Sequence, residues 1–404
     1  MSTASAAGQP LGQAITRVGA GSGAGSIEIL SCCRTAEPIW RRLERDAVMS
    51  PYGRFDWVAS FAASLPDAER DIRIAVMTDD AGPALLMPFR IERRFGLVIA
   101  AAIGGKHANL NLPVSRPDVF ATLDAAAATS FLTAAGRAMQ ADMIDLPSVP
   151  AIWRGRPNPF AAAGEPAADP VWSVRLMDTG EKTLGRSMKG DARKKLRSKS
   201  RAMDAFGPVR VLRARTADEV DRLLDAFYRQ KEDRFAELGI ADPFAAPHIR
   251  TFLRTGALAG LAEGRPAIEL HALTVGEEVA AVLGAAGDGR RLSGMFLSFQ
   301  SGPLARFSPG EQLVTRVIGL QCEQGRVVFD LGVGDARYKR SICDEVEALV
   351  DVMLPITRAG RAVRFVESHL LAAKRRIKTN PQAMAMVALL RRSRAKLRHT
   401  GPAS

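Results

Sequence analysis

The stretch that decides the fold consists of FSPGEQL at residues 307–313 and, a little further along, VVFDLGVGDARYK at residues 327–339. The first segment predicts the start of a helix. The second begins with residues 327–331, a short β-branched and aromatic run that predicts a buried strand, and it continues into a glycine-rich loop. A helix that begins beside such a loop is suited to binding an anion. We therefore expect the chemistry of this protein to lie here.

The helix between these two segments has clear start and stop signals. Ser308 predicts an N-cap, Pro309 fits the first helical position, and Glu311, three residues after Ser308, completes a capping box. Apolar residues recur at helical spacing as far as Cys322, and Gly325 follows where a left-handed residue is needed. The helix should therefore begin at Pro309 and end near residue 324.

Length and composition indicate an ordinary globular protein with more than one core. The chain has 404 residues, of which 47% are hydrophobic and 25% charged, and at about 150 residues per domain we expect two domains. The four cysteines show no CxxC spacing, so we predict a reducing compartment and no metal site. Residues 1–26 lack the regions of a signal peptide and predict a disordered leader. The apolar run 96–105 is too short to span a bilayer, so we expect a cytoplasmic protein.

The net charge of +13 is concentrated in two stretches. Residues 186–201 contain eight basic residues and one acidic residue, and residues 374–398 contain nine basic residues and no acidic one. The latter predict a basic helical tail at residues 366–404. Both stretches suit solvated faces that aid solubility, or weak contact with a polyanion, an anionic membrane surface or a phosphorylated cofactor. No specific nucleic acid is predicted.

The order of elements in the first half recurs in the second. A three-strand antiparallel meander is predicted at residues 72–103 and again at residues 268–299, separated in each case by turn signals. A helix and a short strand follow each meander, with the strands at residues 143–146 and 327–331. Near-equal offsets between corresponding elements indicate the duplication of one α+β unit.

The duplication sets the domain boundaries. We predict an N-terminal domain at residues 27–155 and a C-terminal domain, which carries the deciding stretch, at residues 171–365. Residues 156–170 lie in a segment rich in Pro, Gly and Ala that has no periodicity, which is typical of a surface linker.

The order and spacing of several short motifs resemble a known family. Ser308-Pro309-Gly310, the helix, Phe329-Asp330-Leu331 and Tyr338-Lys339 look like the C-terminal signature of a GNAT-related acyltransferase family, and in particular of the CelD-type acetyltransferases associated with cellulose biosynthesis. The resemblance is best from about residue 182 to 344. It implies an α+β chain with two tandem GNAT-like domains, similar to the FemAB-type proteins, whose mixed and mainly antiparallel sheets are flanked by helices.

The resemblance also implies a donor, acetyl-CoA or another acyl-CoA. Our candidates for contacting it are the residues that open the helix: Ser308, Pro309, Gly310, Glu311 and Gln312. A helix N-terminus offers free N–H groups and partial positive charge, and glycine lets the backbone approach a phosphate closely. Proline has no N–H and the glutamate brings negative charge, so a purely structural helix start is the alternative.

Acylation of an amine needs one group that removes a proton from the amine and one that protonates the departing thiolate. Asp335 and Tyr338, on the loop after the strand, are our catalytic candidates for these two tasks. Alternatively, Asp335 caps this loop and Tyr338 anchors it. Lys339 and Arg340 are candidates for holding an anionic part of the substrate. His271 is a further candidate for contacting the substrate, with a satisfied core histidine as the alternative.

The leading hypothesis is a GNAT-superfamily acyltransferase that transfers an acetyl or acyl group from acyl-CoA to an amine or hydroxyl. The CelD resemblance suggests a small-molecule or saccharide acceptor in exopolysaccharide or cellulose metabolism. One alternative is a FemAB-type transferase that uses aminoacyl-tRNA, which the basic stretches would suit. The other is a non-catalytic scaffold in a polysaccharide-synthesis assembly.

Overall fold

The structure, a computed structural model, describes residues 15–17, 25–67, 71–94 and 96–365. Its strands, in chain order, are β1 (Ile15–Arg17), β2 (Ser26–Leu30), β3 (Ile72–Asp79), β4 (Gly82–Arg94), β5 (Leu97–Ala102), β6 (Val114–Ser115), β7 (Met143–Pro150), β8 (Ile152–Trp153), β9 (Arg156–Pro157), β10 (Glu165–Pro166), β11 (Val171–Arg175), β12 (Val209–Arg213), β13 (Glu269–Val275), β14 (Glu278–Gly287), β15 (Arg291–Phe299), β16 (Val328–Val333), β17 (Glu345–Glu347) and β18 (Leu349–Pro355).

The helices connect these strands and cover the sheets. In chain order they are α1 (Cys33–Glu44), α2 (Phe55–Ala63), α3 (Pro117–Thr122), α4 (Ala125–Ala138), α5 (Gly180–Ser187), α6 (Gly190–Met203), α7 (Ala217–Leu238), α8 (Pro247–Leu258), α9 (Pro309–Glu323) and α10 (Arg337–Ile342). Helix α9 begins at Pro309, and Gly325, with φ of +71°, lies just beyond its end, as the sequence predicts.

Two sheets repeat one order of elements. The first has the strand order β1-β2-β3-β4-β5-β7-β18-β10, with β6 also pairing with β4, and the second has the order β12-β13-β14-β15-β16-β11-β17. Each contains an antiparallel meander, a helical crossover (α4 or α9) and one parallel pair, β5 with β7 or β15 with β16. The α+β class and the mixed, mainly antiparallel sheets are therefore confirmed.

The first sheet takes up strands from beyond the first domain, which the sequence does not reveal. Strand β18, which we predicted within the C-terminal domain, lies in the first sheet, where it pairs antiparallel with β7. Strand β10, inside the predicted linker, pairs with β18. The open side of β7 presents unpaired backbone groups, and β18 satisfies them while burying Val352 and Met353. The chain thus returns to its first sheet after completing the second.

The two predicted termini fall largely outside the described residues. Within the leader, residues 15–17 form β1 and Ser26 begins β2, with which β1 pairs, so these positions are in strands and not disordered as expected. Strand β2 lies next to the sheet edge, where its free backbone groups accept a further strand. Residues 1–14 and 18–24 and the predicted basic tail at 366–404 lie outside the described part of the chain.

Two helices, α3 and α4, lie between the first meander and β7, where the recurring order of elements predicts one. Leu123 has an extended conformation and ends α3. The Asp124 side chain then accepts a hydrogen bond of 2.7 Å from the Ala127 N–H and caps the start of α4. The competing side-chain cap therefore outweighs the helix propensity of the alanines at this point.

The domains share a hydrophobic core. Trp57 and Phe61 on α2 pack edge to face against Phe252 on α8, with ring centroids 5.2 and 5.1 Å apart. Arg54 donates hydrogen bonds from the first domain to the carbonyl oxygens of Pro266 and Gly287. These contacts hold the segment around residue 52 against β15, and they position the first domain beside the site described next.

Candidate functional site

Strands β15 and β16 diverge and leave a cavity between them. The two strands pair in parallel from Arg291, which lies opposite Val328, to Ser293, which lies opposite Asp330. Beyond that point β15 stays paired with β14 as far as Phe299, whereas β16 stays paired with β11. The gap contains a cavity of about 340 Å³. Helix α9, which the deciding stretch opens, connects the two strands and lies along it.

The cavity has apolar walls and a few polar groups. Its walls include Leu283, Met295, Phe296, Leu297, Val314 and Leu331. The polar side chains are Asn109, Lys231, Tyr338 and Lys339, and the lining contains no carboxylate. Such a lining combines apolar contact with a few polar groups that can orient a ligand.

Asn109, on a loop of the first domain, bridges the two strands where they separate. Its Nδ2 donates to the Gly294 carbonyl on β15 at 2.9 Å, and its Oδ1 accepts from the Val333 N–H on β16 at 3.4 Å. The backbone at Gly332 has φ of +73°, and an added Cβ there would lie 2.5 Å from the Gly294 oxygen. Only glycine allows this approach.

A buried ionic network lies where the strands diverge. Asp330 is fully buried and accepts hydrogen bonds from Arg291 Nε at 2.6 Å, from Ser293 Oγ at 2.9 Å and from the Gly332 N–H at 2.9 Å. Arg291 also binds both carboxylate oxygens of Glu347. Burial raises the pKa of Asp330 and the Arg291 guanidinium opposes this rise. The network anchors β16 and its following loop to β15.

Tyr52 extends this network into the first domain. Its hydroxyl lies 2.9 Å from Ser293 Oγ and accepts from Asn109 Nδ2 at 2.7 Å. Because Ser293 gives its only hydroxyl proton to Asp330, Tyr52 donates to Ser293. The first domain is thereby connected to the diverging strands through two hydrogen-bonded side chains.

Two of the sequence candidates, Tyr338 and Lys339, line the cavity from α10. Burial raises the pKa of Tyr338 to about 12, so the phenol stays protonated at neutral pH. Lys339 Nζ donates to the carbonyl oxygens of Gly332 and Val333, each at 3.0 Å. Burial lowers the pKa of Lys339, and the Asp330 carboxylate opposes this effect. The lysine ties α10 to the end of β16.

Asp335 and Arg340 lie apart from this lining. Both are exposed, and Arg340 forms a two-point ion pair with Asp335, with Nε donating to Oδ1 at 2.7 Å. Neither is among the cavity-lining residues. Asp335 is therefore near the end of the diverging strand, as predicted, but in the described structure its carboxylate is held by a neighbouring arginine.

The residues that open α9 form a different start from the one expected. Ser308 has a left-handed backbone, with φ and ψ both 56°, and makes no cap hydrogen bond, so the predicted capping box is wrong. Its Oγ instead accepts a hydrogen bond of 2.6 Å from Lys199 Nζ on α6. This contact between distant segments outweighs the local cap. An added Cβ at Gly310 would lie 3.2 Å from Phe299, because this turn packs on β15.

The other two members of the helix start, Glu311 and Gln312, differ in exposure. Gln312 is buried and donates from Nε2 to the Phe307 carbonyl at 3.3 Å, whereas Glu311 is partly exposed. Neither side chain lines the cavity.

His271 is not brought to the cavity. It is fully buried in β13, and its Nε2 lies 3.4 Å from Glu269, which also pairs with Arg213 and Arg326. The histidine thus belongs to a buried charged cluster on a strand that does not border the gap. This location agrees better with the alternative interpretation of His271 as a core histidine than with contact to a substrate.

Two polar residues of the cavity lining were missed from the sequence, Asn109 and Lys231. Asn109 lies on a loop of the first domain that follows Gly104 and Gly105, and only the contact between domains reveals its role. Lys231 had a recognisable signal. It stands four residues after Phe227, on the face of α7 that Val220, Leu223 and Phe227 bury, so its charge interrupts an otherwise apolar stripe.

The comparisons with known proteins agree with this geometry. Residues 190–340 match the family model described as an acetyltransferase (GNAT) domain. These residues include β15, α9, β16 and most of the cavity lining. The chain therefore contains a GNAT-type acetyltransferase domain, and the predictions of a GNAT fold and of a GNAT N-acyltransferase are confirmed. No curated protein matches the chain.

Several solved structures share the fold over most of the chain. FemX has a TM-score of 0.55 at 10% identity, and the match covers 81% of this chain and 97% of FemX. A protein of unknown function from Bacteroides thetaiotaomicron has a TM-score of 0.52 at 10% identity, covering 81% of this chain and 99% of that one. L-PGS from Bacillus licheniformis has a TM-score of 0.50 at 12% identity, covering 83% and 96%. At such low identity the similarity shows the fold alone.

Among the described residues, no helix combines the length and the apolar character needed to cross a bilayer.

Proposed function

We propose that this chain, whose residues 190–340 form a GNAT acetyltransferase domain, transfers an acyl group from an acyl-CoA to an amine or hydroxyl, with the thioester in the cavity between β15 and β16. The observation that carries the proposal is the divergence of these strands beyond Ser293 and Asp330. Asn109 and Lys339 occupy backbone groups at Gly294, Gly332 and Val333. Beyond Gly294 the edge of β15 no longer pairs with β16, so the backbone groups of β15 there can bind the amides of an extended ligand.

The start of α9 supports a position for the diphosphate of the donor. A Cβ added at Gly310 would lie 3.4 Å from the Leu297 side chain, and Leu297 lines the cavity. Lys199 adds an ammonium at this helix start, which compensates for the missing N–H of Pro309 and the charge of Glu311. In our proposal, residues 308–312 and Lys199 together take the phosphates.

The reaction follows from the groups around the cavity. The lone pair of the acceptor attacks the thioester carbonyl, the new C–N or C–O bond forms, and the C–S bond breaks. Tyr338, which is protonated at neutral pH, gives its hydroxyl proton to the departing thiolate. Asp335 receives the proton of the acceptor at the end of the strand, after its release from Arg340. Lys339 holds the Gly332 and Val333 carbonyls and orients Tyr338.

The nature of the acceptor rests on resemblance alone. The CelD-like motifs suggest a saccharide or its precursor, in exopolysaccharide or cellulose metabolism. A panel of amino sugars and simple amines, assayed by release of the CoA thiol, would test this part of the proposal. Turnover of simple amines without any turnover of amino sugars would contradict a saccharide acceptor.

The donor site is tested by blocking the cavity. Met295 lines it, whereas Val346, an exposed residue on β17, does not. We expect Met295→Trp to abolish acetyl-CoA binding in calorimetry, because the indole fills the gap, while Val346→Trp binds like the wild type. Thermal melting of both variants controls for folding. Equal affinity of Met295→Trp and wild type would place the donor elsewhere.

A second candidate is transfer from an aminoacyl-tRNA. The observation that favours it is the exposed basic face of α6, with Lys194, Lys195 and Arg197, whose neighbour Lys199 contacts the start of α9. Binding of tRNA should then weaken steeply with salt, and Lys194→Glu with Lys195→Glu should weaken it at constant salt. Retention of acetyl-CoA binding without any tRNA binding would favour the first proposal.

A further inference from the structure

One charged side chain in the cavity has no part in the mechanism above. Lys231 extends from α7 into the cavity lining, where its Nζ lies 5.9 Å from the ring centroid of Phe227 and 5.6 Å from those of Phe235 and Phe244. These distances are close to the limit of about 6 Å for a cation–π interaction. The rings therefore occupy part of the space around the ammonium and replace only a small part of its hydration.

The ammonium of Lys231 is under-satisfied. In the described part of the chain it makes no hydrogen bond and no ion pair, although it has three N–H donors. Burial lowers its pKa, and the charge of Asp242 opposes this effect. Lys339, the other lysine of the cavity, differs because it donates to two backbone carbonyls. The side chain of Lys231 is half-buried, so its ammonium is only partly hydrated, and an anionic ligand would supply the missing partner.

The charge balance of the cavity indicates where such an anion would come from. Two lysines line the cavity, and the lining contains no carboxylate. The pantetheine arm and an acetyl group are neutral, so neither complements Lys231. The missing negative charge must belong to the acyl group or to the acceptor. A phosphate is recognised by several donors, whereas a single lysine in an aromatic enclosure suits a small, singly charged group.

We propose that Lys231 is the carboxylate-binding residue of the cavity, so that one reactant, either the acyl group or the acceptor, carries a carboxylate. This inference rests on the proposed acyl transfer and adds the chemical class of a reactant. The Phe227, Phe235 and Phe244 rings strengthen the ion pair because they lower the local dielectric constant.

Two pairs of probes distinguish the two sources of the carboxylate. Succinyl-CoA is compared with acetyl-CoA for the acyl group, and glycine is compared with glycinamide, in the presence of acetyl-CoA, for the acceptor. Affinities are measured by calorimetry. We expect the wild type to prefer the carboxylate of one pair by at least roughly tenfold, which corresponds to about 1.4 kcal/mol.

The variant Lys231→Met keeps an unbranched apolar side chain between the rings and removes the charge. We expect it to lose the preference while binding the neutral probe of the same pair as before. Lys182→Met is the matched control, since it removes a lysine whose side chain is exposed and lies outside the cavity lining, and it should keep the preference. A wild type without any preference, or a Lys231→Met variant that retains it, would overturn the inference.

A further measurement separates this inference from the proposed function. If neither CoA thioester binds the wild type, acyl transfer from CoA fails, and the lysine is then tested by its reaction with acetic anhydride, mapped by mass spectrometry. Succinate should protect Lys231 and succinamide should not. Equal modification with both compounds would refute a carboxylate site at Lys231, whatever the activity of the protein.

Discussion

Asn109 Nδ2 donates a hydrogen bond of 2.9 Å to the Gly294 carbonyl, so a side chain of the first domain holds the strand that borders the cavity of the second. The same amide group donates to Tyr52 and accepts from the Val333 N–H. One residue therefore joins both diverging strands to the other domain. The cavity is a property of the two domains together, although the GNAT match covers only residues 190–340.

The first prediction concerns this bridge. Asn109→Ala leaves the Gly294 carbonyl without its donor, and we expect the free energy of unfolding to fall by about 1–3 kcal/mol and acetyl-CoA affinity to fall with it. Asn111→Ala is the control, because it removes a comparable hydrogen bond, to the Pro147 carbonyl, within the first domain. It should reduce stability but not affinity. If both variants bind acetyl-CoA alike, Asn109 does not shape the cavity.

The second prediction concerns proton donation. Tyr338→Phe removes only the hydroxyl, and we expect kcat to fall by roughly 10²-fold or more, with acyl-CoA affinity nearly unchanged. Tyr228→Phe is a matched control, since its hydroxyl lies outside the cavity lining and 3.5 Å from the Arg250 carbonyl. Release of the CoA thiol is the measurement. An unchanged kcat for Tyr338→Phe would leave the phenol a structural role only.

The third prediction tests the exposed ion pair. If Asp335 accepts a proton, Asp335→Asn should lower kcat by about 10²-fold or more, whereas Arg340→Gln, which frees the carboxylate, should lower it much less. Stability should change by no more than about 1 kcal/mol in either variant, because exposed ion pairs contribute little. Steady-state rates and denaturant unfolding measure the two effects. Small and equal losses of kcat would assign the pair to holding the loop.

The fourth prediction is a pH dependence of stability. Burial alone would raise the pKa of Glu269, but the adjacent His271, Arg326 and Arg213 hold it at about 2, below its ordinary value of 4.5. A carboxyl group whose pKa is lower in the folded state stabilises the fold above pH 4.5 and loses that contribution as the pH falls toward 2. Glu269→Gln should therefore be less stable than the wild type at neutral pH.

The difference in unfolding free energy between Glu269→Gln and the wild type should shrink between pH 4.5 and pH 2. Denaturant titrations across this range measure it. A difference that stays constant with pH would show that the carboxylate and its cationic neighbours do not set the acid stability of this cluster.

Local signals in the chain sufficed for the α+β class and for the recurring order of meander, helix and strand. Pro309 and Gly325 predicted both ends of α9, and the capping box of Thr216 and Glu219 at the start of α7 is a feature of the same local kind. Such features depend on residues within a few positions of one another, where backbone conformation and capping decide the outcome. Tyr338 and Lys339 were also found from the sequence, because they lie in the deciding stretch itself.

Only the tertiary structure brought Asn109, Lys231 and Tyr338 to one cavity, and only it showed that β18 returns to the first sheet. A long-range contact also replaced a local one, because the Ser308 hydroxyl, which was expected to cap α9, accepts a hydrogen bond from Lys199 instead. The physical reason is common to these cases. Unpaired strand edges and buried polar groups form hydrogen bonds with whichever partner the folded chain brings near. Because that partner can be distant in the chain, the spacing of residues in the sequence does not predict it.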